Sequence, residues 1–167
     1  MEEKSLILSD DQVRKKIKRI AFEIYENNFK EKELILAGIG SKGHKLAELL
    51  TQSLEEVTNI KITLIRINLD KFAPTQSEIS LSCDIADLKN KAIILIDDVL
   101  STGRTIAYSL KPFLGIRVKR IETAVLVNRS HTQFPISTNY TGYELATSIK
   151  EHVEVHLDED QKVVYLM

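Results

Sequence analysis

The sequence predicts an α/β fold, a central and mostly parallel sheet with helices on both faces, and three observations carry that reading. Ile93 to Ile96 are consecutive large apolar residues with no alternation, which fits a strand covered on both sides. Leu34 to Ile39 and Ile121 to Val127 are runs of the same kind. The runs at Leu34 and Ile93 each pass through a glycine-bearing turn into residues of helical spacing, the strand–turn–helix order of a parallel sheet.

Composition sets the class. A chain of 167 residues fits one domain, since domains commonly span ~100–200. Hydrophobic residues at 43% and charged residues at 28% are ordinary for a soluble globular protein. The net charge of −1 gives no general attraction to nucleic acid or acidic lipid. Cys83 has no partner for an internal disulfide, so a reducing, cytoplasmic setting is expected. The opening Met-Glu-Glu-Lys lacks a basic, apolar leader pattern. No apolar run approaches the ~18 residues of a membrane span, so no membrane partner is expected.

In chain order, Ser9-Asp10-Asp11-Gln12 reads as a capping box. The helix it opens buries Val13, Ile17, Ile20, Ala21 and Ile24 on one face. Its other face carries Arg14, Lys15, Lys16, Lys18 and Arg19. A solvated face is the simpler account of that cluster, and a small basic patch for RNA is the sharper one. No aromatic residue obviously interleaves there to stack bases.

Leu34 to Ile39 runs into Gly40-Ser41-Lys42-Gly43 and then a helix with Leu46, Ala47, Leu49, Leu50 and Leu54. Gly38 to Gly43 also matches G-x-G-x-x-G, which makes a nicotinamide-binding enzyme a competing reading. That fingerprint wants an acid at the end of the next strand, and Ile60 to Ile67 instead ends Arg66, Ile67, Asn68. Nor is it a P-loop, because His44 and Lys45 follow Gly43.

Between Asn68 and Asp84 the chain is polar, with Asp70, Lys71, Pro74, Thr75, Gln76, Ser77, Glu78, Ser80 and Ser82. Ile79 and Leu81 alternate, so part of it should pair as a hairpin arm, and a loop of this length fits a lid. Helical spacing follows the central strand at Ile106, Ala107, Leu110, Phe113 and Leu114. Pro112 should distort the last turn and Gly115 end it. Short strands are expected near Tyr140, Val153–Leu157 and Val163–Leu166. The alternation around His152 and His156 favours a strand over a helical zinc pair.

The stretch Ala92 to Thr105 carries the chemistry. A helix N-terminus holds phosphate, and Gly103 lets the backbone come close. Ser101, Thr102 and Thr105 add hydroxyl donors. Asp97 and Asp98 would repel a phosphate but suit the hydroxyls of a ribose. One short loop thus has a place for each end of a sugar phosphate. The simpler alternative is that Asp98 or Ser101 merely caps the helix. A cap needs one such residue, and a cluster of polar and glycine positions is present.

This pattern of apolar strand, two acids, two apolar residues, a small residue and Thr-Gly resembles the phosphoribosyl-diphosphate (PRPP) loop of type I phosphoribosyltransferases. Its Thr-Gly-Arg-Thr ending is most similar to the branch of bifunctional pyrimidine-operon attenuation regulators that are also uracil phosphoribosyltransferases. The likeness persists through Arg129, His131, Pro135-Ile136, Tyr140, Gly142, Thr147-Ser148 and Leu157-Asp158. It implies the type I phosphoribosyltransferase fold as one domain over 1–167. A small C-terminal hood would span about 128–167, with the N-terminal residues nearby. It implies transfer of the phosphoribosyl group of PRPP to a nucleobase, Mg²⁺ as cofactor, a homodimer or homotetramer, and messenger RNA as a further partner.

By the same resemblance Asp97, Asp98, Lys42 and Arg66 form the catalytic set. Val99, Leu100, Ser101, Thr102, Gly103, Arg104 and Thr105 bind the ribose phosphate of PRPP. Gly40, Ser41, Gly43 and Lys71 bind its pyrophosphate. Asn128, Arg129 and Val153 face the base, and Asp158 lies near the metal and the base. Relatives that take 6-oxopurines carry a lysine where this chain has Asn128 and a third aspartate where it has Ser101. Both departures argue against a 6-oxopurine, and uracil, which needs neither group, is the base expected, with UMP as product. The alternative is a pyrimidine-responsive RNA-binding regulator whose nucleotide site is mainly a sensor.

Overall fold

The capping box closes as its residues specify. The Gln12 amide donates to Ser9 Oγ (3.3 Å) and the Ser9 amide to Gln12 Oε1 (2.9 Å), opening helix α1 (Asp10–Asn28). Val13, Ile17, Ile20, Ala21 and Ile24 are all buried beneath it. A computed structural model describes residues 3–73, 75 and 78–167 of the chain. Pro74, Gln76 and Ser77, which the expected lid includes, lie outside the described residues.

The remaining elements alternate as predicted, with one strand, β1 (Ser5–Leu8), that the sequence did not announce. It precedes α1; β2 (Glu33–Ile39) leads into α2 (Gly40–Val57), then β3 (Lys61–Asn68) and a two-residue β4 (Ser80–Leu81). Next come β5 (Ala92–Leu100), α3 (Arg104–Ser109), β6 (Arg120–Asn128), β7 (Tyr140–Glu144), β8 (Val153–Leu157) and β9 (Lys162–Leu166). The large sheet has the order β4-β3-β2-β5-β6-β7. Every pair in it is parallel except β3 with β4, which forms the expected hairpin arm through Ile67 opposite Leu81.

Both sheet faces are covered, unequally. α1 and α2 lie over Leu34, Leu36, Ile94, Ile96 and Leu126. On the other side Ile35, Ala37, Ile93, Leu95 and Val125 meet Ile106 and Phe113, from the short α3 and the 3-10 turn Lys111–Gly115 that follows it. Pro112 sits in the first turn of that 3-10 segment, so the distortion expected at the end of the helix becomes a break after Ser109. Burial on both faces is why these strands read as unbroken apolar runs.

A second, antiparallel sheet orders β1-β9-β8. Val153, Val155 and Leu157 of β8 are buried, as the alternation predicts, and share a core with Val13 and Ile17. β7 joins the large sheet beside β6. Among the described residues no helix is long and apolar enough to cross a membrane.

Candidate active site

The pairing of β5 explains where its two acids stand. β2 accompanies β5 only as far as Gly38 opposite Ile96, whereas β6 continues to Asn128 opposite Leu100. Asp97 and Asp98 therefore lie inside the strand, past the end of its β2 neighbour, at the carboxyl edge of a parallel sheet. Both are buried, at 2% and 8% exposure. Asp97 Oδ1 accepts from the Asp98 amide (2.9 Å) and from Lys71 Nζ (2.8 Å), which also lies 3.6 Å from Asp98 Oδ1.

Burial raises the pKa of the Asp97 carboxyl; Lys71 opposes that rise and Asp98 adds to it. Burial also works against the charge on Lys71, but the two carboxylates outweigh it and leave its pKa raised. The resemblance assigns Lys71 to pyrophosphate. In the structure its ammonium sits on the two acids instead, because they are the buried negative groups within its reach.

Gly40 to Gly43 form the first turn of α2, with no loop between strand and helix. Gly40 has φ +64, a conformation that favours glycine. The N-cap is Ile39, with no side chain to cap, so the first-turn N–H groups of an 18-residue helix lack a side-chain acceptor. A Cβ on Gly43 would lie 2.6 Å from the Ile96 carbonyl oxygen and 3.4 Å from Asp97 Oδ1, so the helix start rests directly against the acids. Lys71 Cε passes 3.5 Å from where a Gly40 Cβ would be. Gly40, Gly43, Lys71, Asp97 and Asp98 thus form one cluster. Ser41 and Lys42 line an adjoining cleft of about 310 Å³ with Lys45, Leu157 and Asp158. Lys45, absent from the sequence prediction, was detectable as the i+3 neighbour of Lys42.

Beyond the acids the predicted loop folds round a cavity of about 70 Å³. Val99, Leu100, Ser101, Thr102, Gly103 and Thr105 line it together with Asp97. Gly103, at φ +84, is the N-cap of α3 and has no side chain to cap it; Thr102 Oγ1 instead accepts from the Arg104 amide (3.2 Å). Neither Asp98 nor Ser101 is the cap that the simpler account of the motif requires. Segment 133–136 braces the loop: the Gln133 and Phe134 amides donate to the Thr102 carbonyl (2.8 and 3.1 Å). A Cβ on Gly103 would stand 3.1 Å from Ile136. Arg104 does not line the cavity; its guanidinium lies 5.2 Å from the Tyr108 ring centre.

On the expected base side, Asn128 Oδ1 accepts from the Ser130 amide (2.9 Å) and shapes the turn after β6. The Arg129 amide donates to the Leu100 carbonyl (2.8 Å), tying that turn to the tip of β5. Its guanidinium is committed elsewhere. Nε donates to Thr147 Oγ1 (3.0 Å), and Nη2 to the carbonyls of Ser148 (3.2 Å) and Glu151 (2.6 Å). Arg129 therefore staples two loops. Val153 is buried at the start of β8.

Arg66 stands near the end of β3 opposite Gly38, with its Nε buried and without a partner. Among the described residues no group of three or more His, Cys, Asp or Glu side chains could enclose a metal ion. The donor set fits a Mg²⁺ carried in by substrate oxygens and touched by one or two carboxylates.

Residues 5–160 match the family model described as the phosphoribosyl transferase domain. The chain is 38% identical over 168 residues to the Bifunctional protein PyrR of Bacillus pumilus, covering 95% of this chain and 93% of that one. It is 36% identical over 161 residues to the protein of the same name from Fusobacterium nucleatum, covering 92% and 91%. Among solved structures, the hypoxanthine phosphoribosyltransferase of Trypanosoma cruzi superposes with a TM-score of 0.77 at 16% identity, over 96% of this chain and 95% of that one. A hypoxanthine-guanine phosphoribosyltransferase of Bacillus anthracis gives 0.69 at 17% identity, over 87% and 84%. At these identities the structural likeness is one of fold.

Proposed function

The chain belongs to the phosphoribosyltransferase family and is a PRPP-dependent pentosyltransferase, and from that premise we propose that it transfers the phosphoribosyl group to uracil, giving UMP and pyrophosphate. The observation that carries this reading is the pair of buried acids at the tip of β5, set between the loop cavity and the uncapped start of α2. The 2′- and 3′-hydroxyls of the ribose donate to Asp97 and Asp98. The 5′-phosphate takes the cavity lined by Ser101, Thr102, Gly103 and Thr105. The pyrophosphate lies along the first turn of α2, with Lys42 and Arg66 as cations. Asp158 faces the same cleft as Lys42.

A base nitrogen then displaces pyrophosphate from C1. The sugar becomes cation-like on the way, so catalysis rests on positioning and charge stabilisation and needs no protein nucleophile. Mg²⁺, when bound, neutralises charge on the leaving pyrophosphate. Uracil offers two carbonyls and an N–H, and backbone groups near Val153 with the Asn128 amide suit them. Arg129 shapes this pocket through its loop contacts. Serine at 101 and asparagine at 128 leave a 6-oxopurine without the acid and the lysine it would use.

Turnover of PRPP and Mg²⁺ with a panel of bases tests this, comparing the wild type with the Asp97→Asn/Asp98→Asn variant. Pyrophosphate release with uracil, lost in the variant, is the expected result. Equal rates in both proteins would remove the roles given to the acids, and preference for hypoxanthine would overturn the base assignment.

A second reading, an RNA-binding regulator, is favoured by a surface along the later turns of α1 and just past its end, to which only Lys18 of the basic cluster contributes. Arg14 and Lys15 pair with Asp10 and Asp11, and Arg19 donates to the carbonyls of Thr141 and Gly142. Lys16 lies over the Tyr143 ring. Lys18, Phe22 and Phe29, however, are exposed, and Lys30 stands over the Phe29 ring. Cations beside open aromatic faces suit unpaired bases. Replacing Lys18, Phe22 and Phe29 by alanine should abolish salt-sensitive RNA binding and leave UMP formation intact. Unchanged RNA affinity would dismiss this face.

A further inference from the structure

Lys71 occupies the groups that the sugar must use. We propose that Lys71 is a specificity residue: it holds the ribose-diol site of the empty protein and yields only to a ligand whose pyrophosphate gives its ammonium a new partner. The inference deepens the reading above and rests on Asp97 and Asp98 being the diol acceptors.

Three features support it. The inner oxygen of Asp97 already accepts from the Asp98 amide and from Lys71 Nζ, so a hydroxyl approaching it competes with the ammonium. Hydroxyl and ammonium are both donors at this carboxylate, and with Asp97 2% and Asp98 8% exposed, little open acceptor surface remains for a second donor. The lysine stem crosses the first turn of α2 at Gly40, its Cε 3.5 Å from where a Cβ would stand, so the ammonium already lies beside that turn. Rotation within its flexible four-carbon stem can carry Nζ from the acids toward an anion resting there. The backbone around Lys71 is a turn at the arm's edge, closed by the Phe72 amide on Asp70 Oδ1 (2.9 Å), and Phe72 beside it is 95% exposed. Small backbone shifts there disturb no core.

The consequence is selective. PRPP breaks the ion pair but supplies pyrophosphate, whose charge rebinds the freed ammonium. Ribose 5-phosphate has the same diol and the same 5′-phosphate but no pyrophosphate. It must strip Lys71 from the acids without compensation. Lys71 thus penalises pentose phosphates that cannot react.

Calorimetric titration of ribose 5-phosphate and of PRPP with Mg²⁺ into wild type and Lys71→Met tests the proposal. The variant should bind ribose 5-phosphate about fivefold more tightly, the scale of one partly exposed ion pair, and PRPP more weakly, so that the ratio between the two ligands collapses. Weaker binding of both ligands, or unchanged affinity for ribose 5-phosphate, would make Lys71 an ordinary binding lysine and overturn the proposal. Failure of ribose 5-phosphate to bind either protein would instead overturn the assignment of the site itself. Amine labelling of the wild type, read by mass spectrometry, gives a test free of substitutions. Lys71 should be protected in the empty protein, exposed by ribose 5-phosphate and protected again by PRPP with Mg²⁺. Protection indifferent to ribose 5-phosphate would again refute the displacement.

Discussion

Asp97 is a buried carboxyl group whose charge is costly even beside Lys71, and that has a measurable consequence. Burial raises its pKa in the folded chain above the roughly 3.9 of the unfolded one, with Lys71 opposing the rise. Between the two values the folded protein holds a proton that the unfolded chain has released. Stability should therefore fall as pH rises from about 4 through the folded pKa, and level off once the ion pair with Lys71 is formed. Urea unfolding of the empty protein across this range measures the slope, and Asp97→Asn should flatten it. A slope unchanged by the substitution would mean that the carboxylate is ionised throughout. In turnover the double Asp97→Asn/Asp98→Asn variant should lose on the order of 10²-fold or more, since both acceptors for the sugar become poor ones. These two acids were legible in the sequence because their chemistry lies in the residue type and in their place after an apolar run. The partners of Lys71 and Arg129 were not. Lys71 meets Asp97 across 26 positions and Arg129 meets Glu151 across 22, and no local pattern encodes either meeting.

At the scale of elements, the legible features were those set by neighbours in the chain. The capping box and the apolar face of α1 follow from spacings of three and four residues. Ser9→Ala should accordingly cost about 1 kcal/mol in urea unfolding. The parallel strands were legible because burial on both faces leaves no polar alternation. β1 was not, since Ser5–Leu8 becomes a strand only by pairing with β9 at the far end of the chain. The extent of β5 was hidden for a similar reason: its pairing with β6 carries the strand through two acids that would otherwise end it. The start of α2 shows how closely packing and site are joined. A methyl group on Gly43 would press on the Ile96 carbonyl, which is backbone and cannot yield. Gly43→Ala should therefore push the first turn of α2 away from β5, at roughly 1–3 kcal/mol of stability. The affinity for pyrophosphate should fall with it, while the unaltered loop keeps its hold on ribose 5-phosphate. Binding of the two ligands by calorimetry, beside the unfolding curve, separates these effects.

In the molecule as a whole, the ribose-phosphate site belongs to the large sheet, whereas Asp158 and Val153 belong to the small one. α1 joins the two. Asp10 Oδ2 accepts from Arg14 Nε (2.7 Å) and Asp10 Oδ1 from the Lys162 amide (2.8 Å), so the first turn of the helix grips the 158–162 turn. Arg14, with the Lys162 amide second, holds the Asp10 carboxyl below its usual range, as expected of a carboxylate used as an acceptor. Arg14 also reaches the Glu159 carbonyl (3.4 Å), and Lys162 Nζ closes the turn on the Asp158 carbonyl (3.0 Å). None of this touches the β5 loop. Asp10→Ala should thus free the turn that carries Asp158 without disturbing the sugar site. The KM for the base should rise roughly tenfold, because binding energy is then spent on ordering the turn, while the affinity for ribose 5-phosphate stays as in the wild type. Steady-state kinetics with varied uracil, beside calorimetry with ribose 5-phosphate, distinguishes this from a general loosening. If both affinities weakened together, the two sheets would be moving as one body, and the division of labour between them would have to be abandoned.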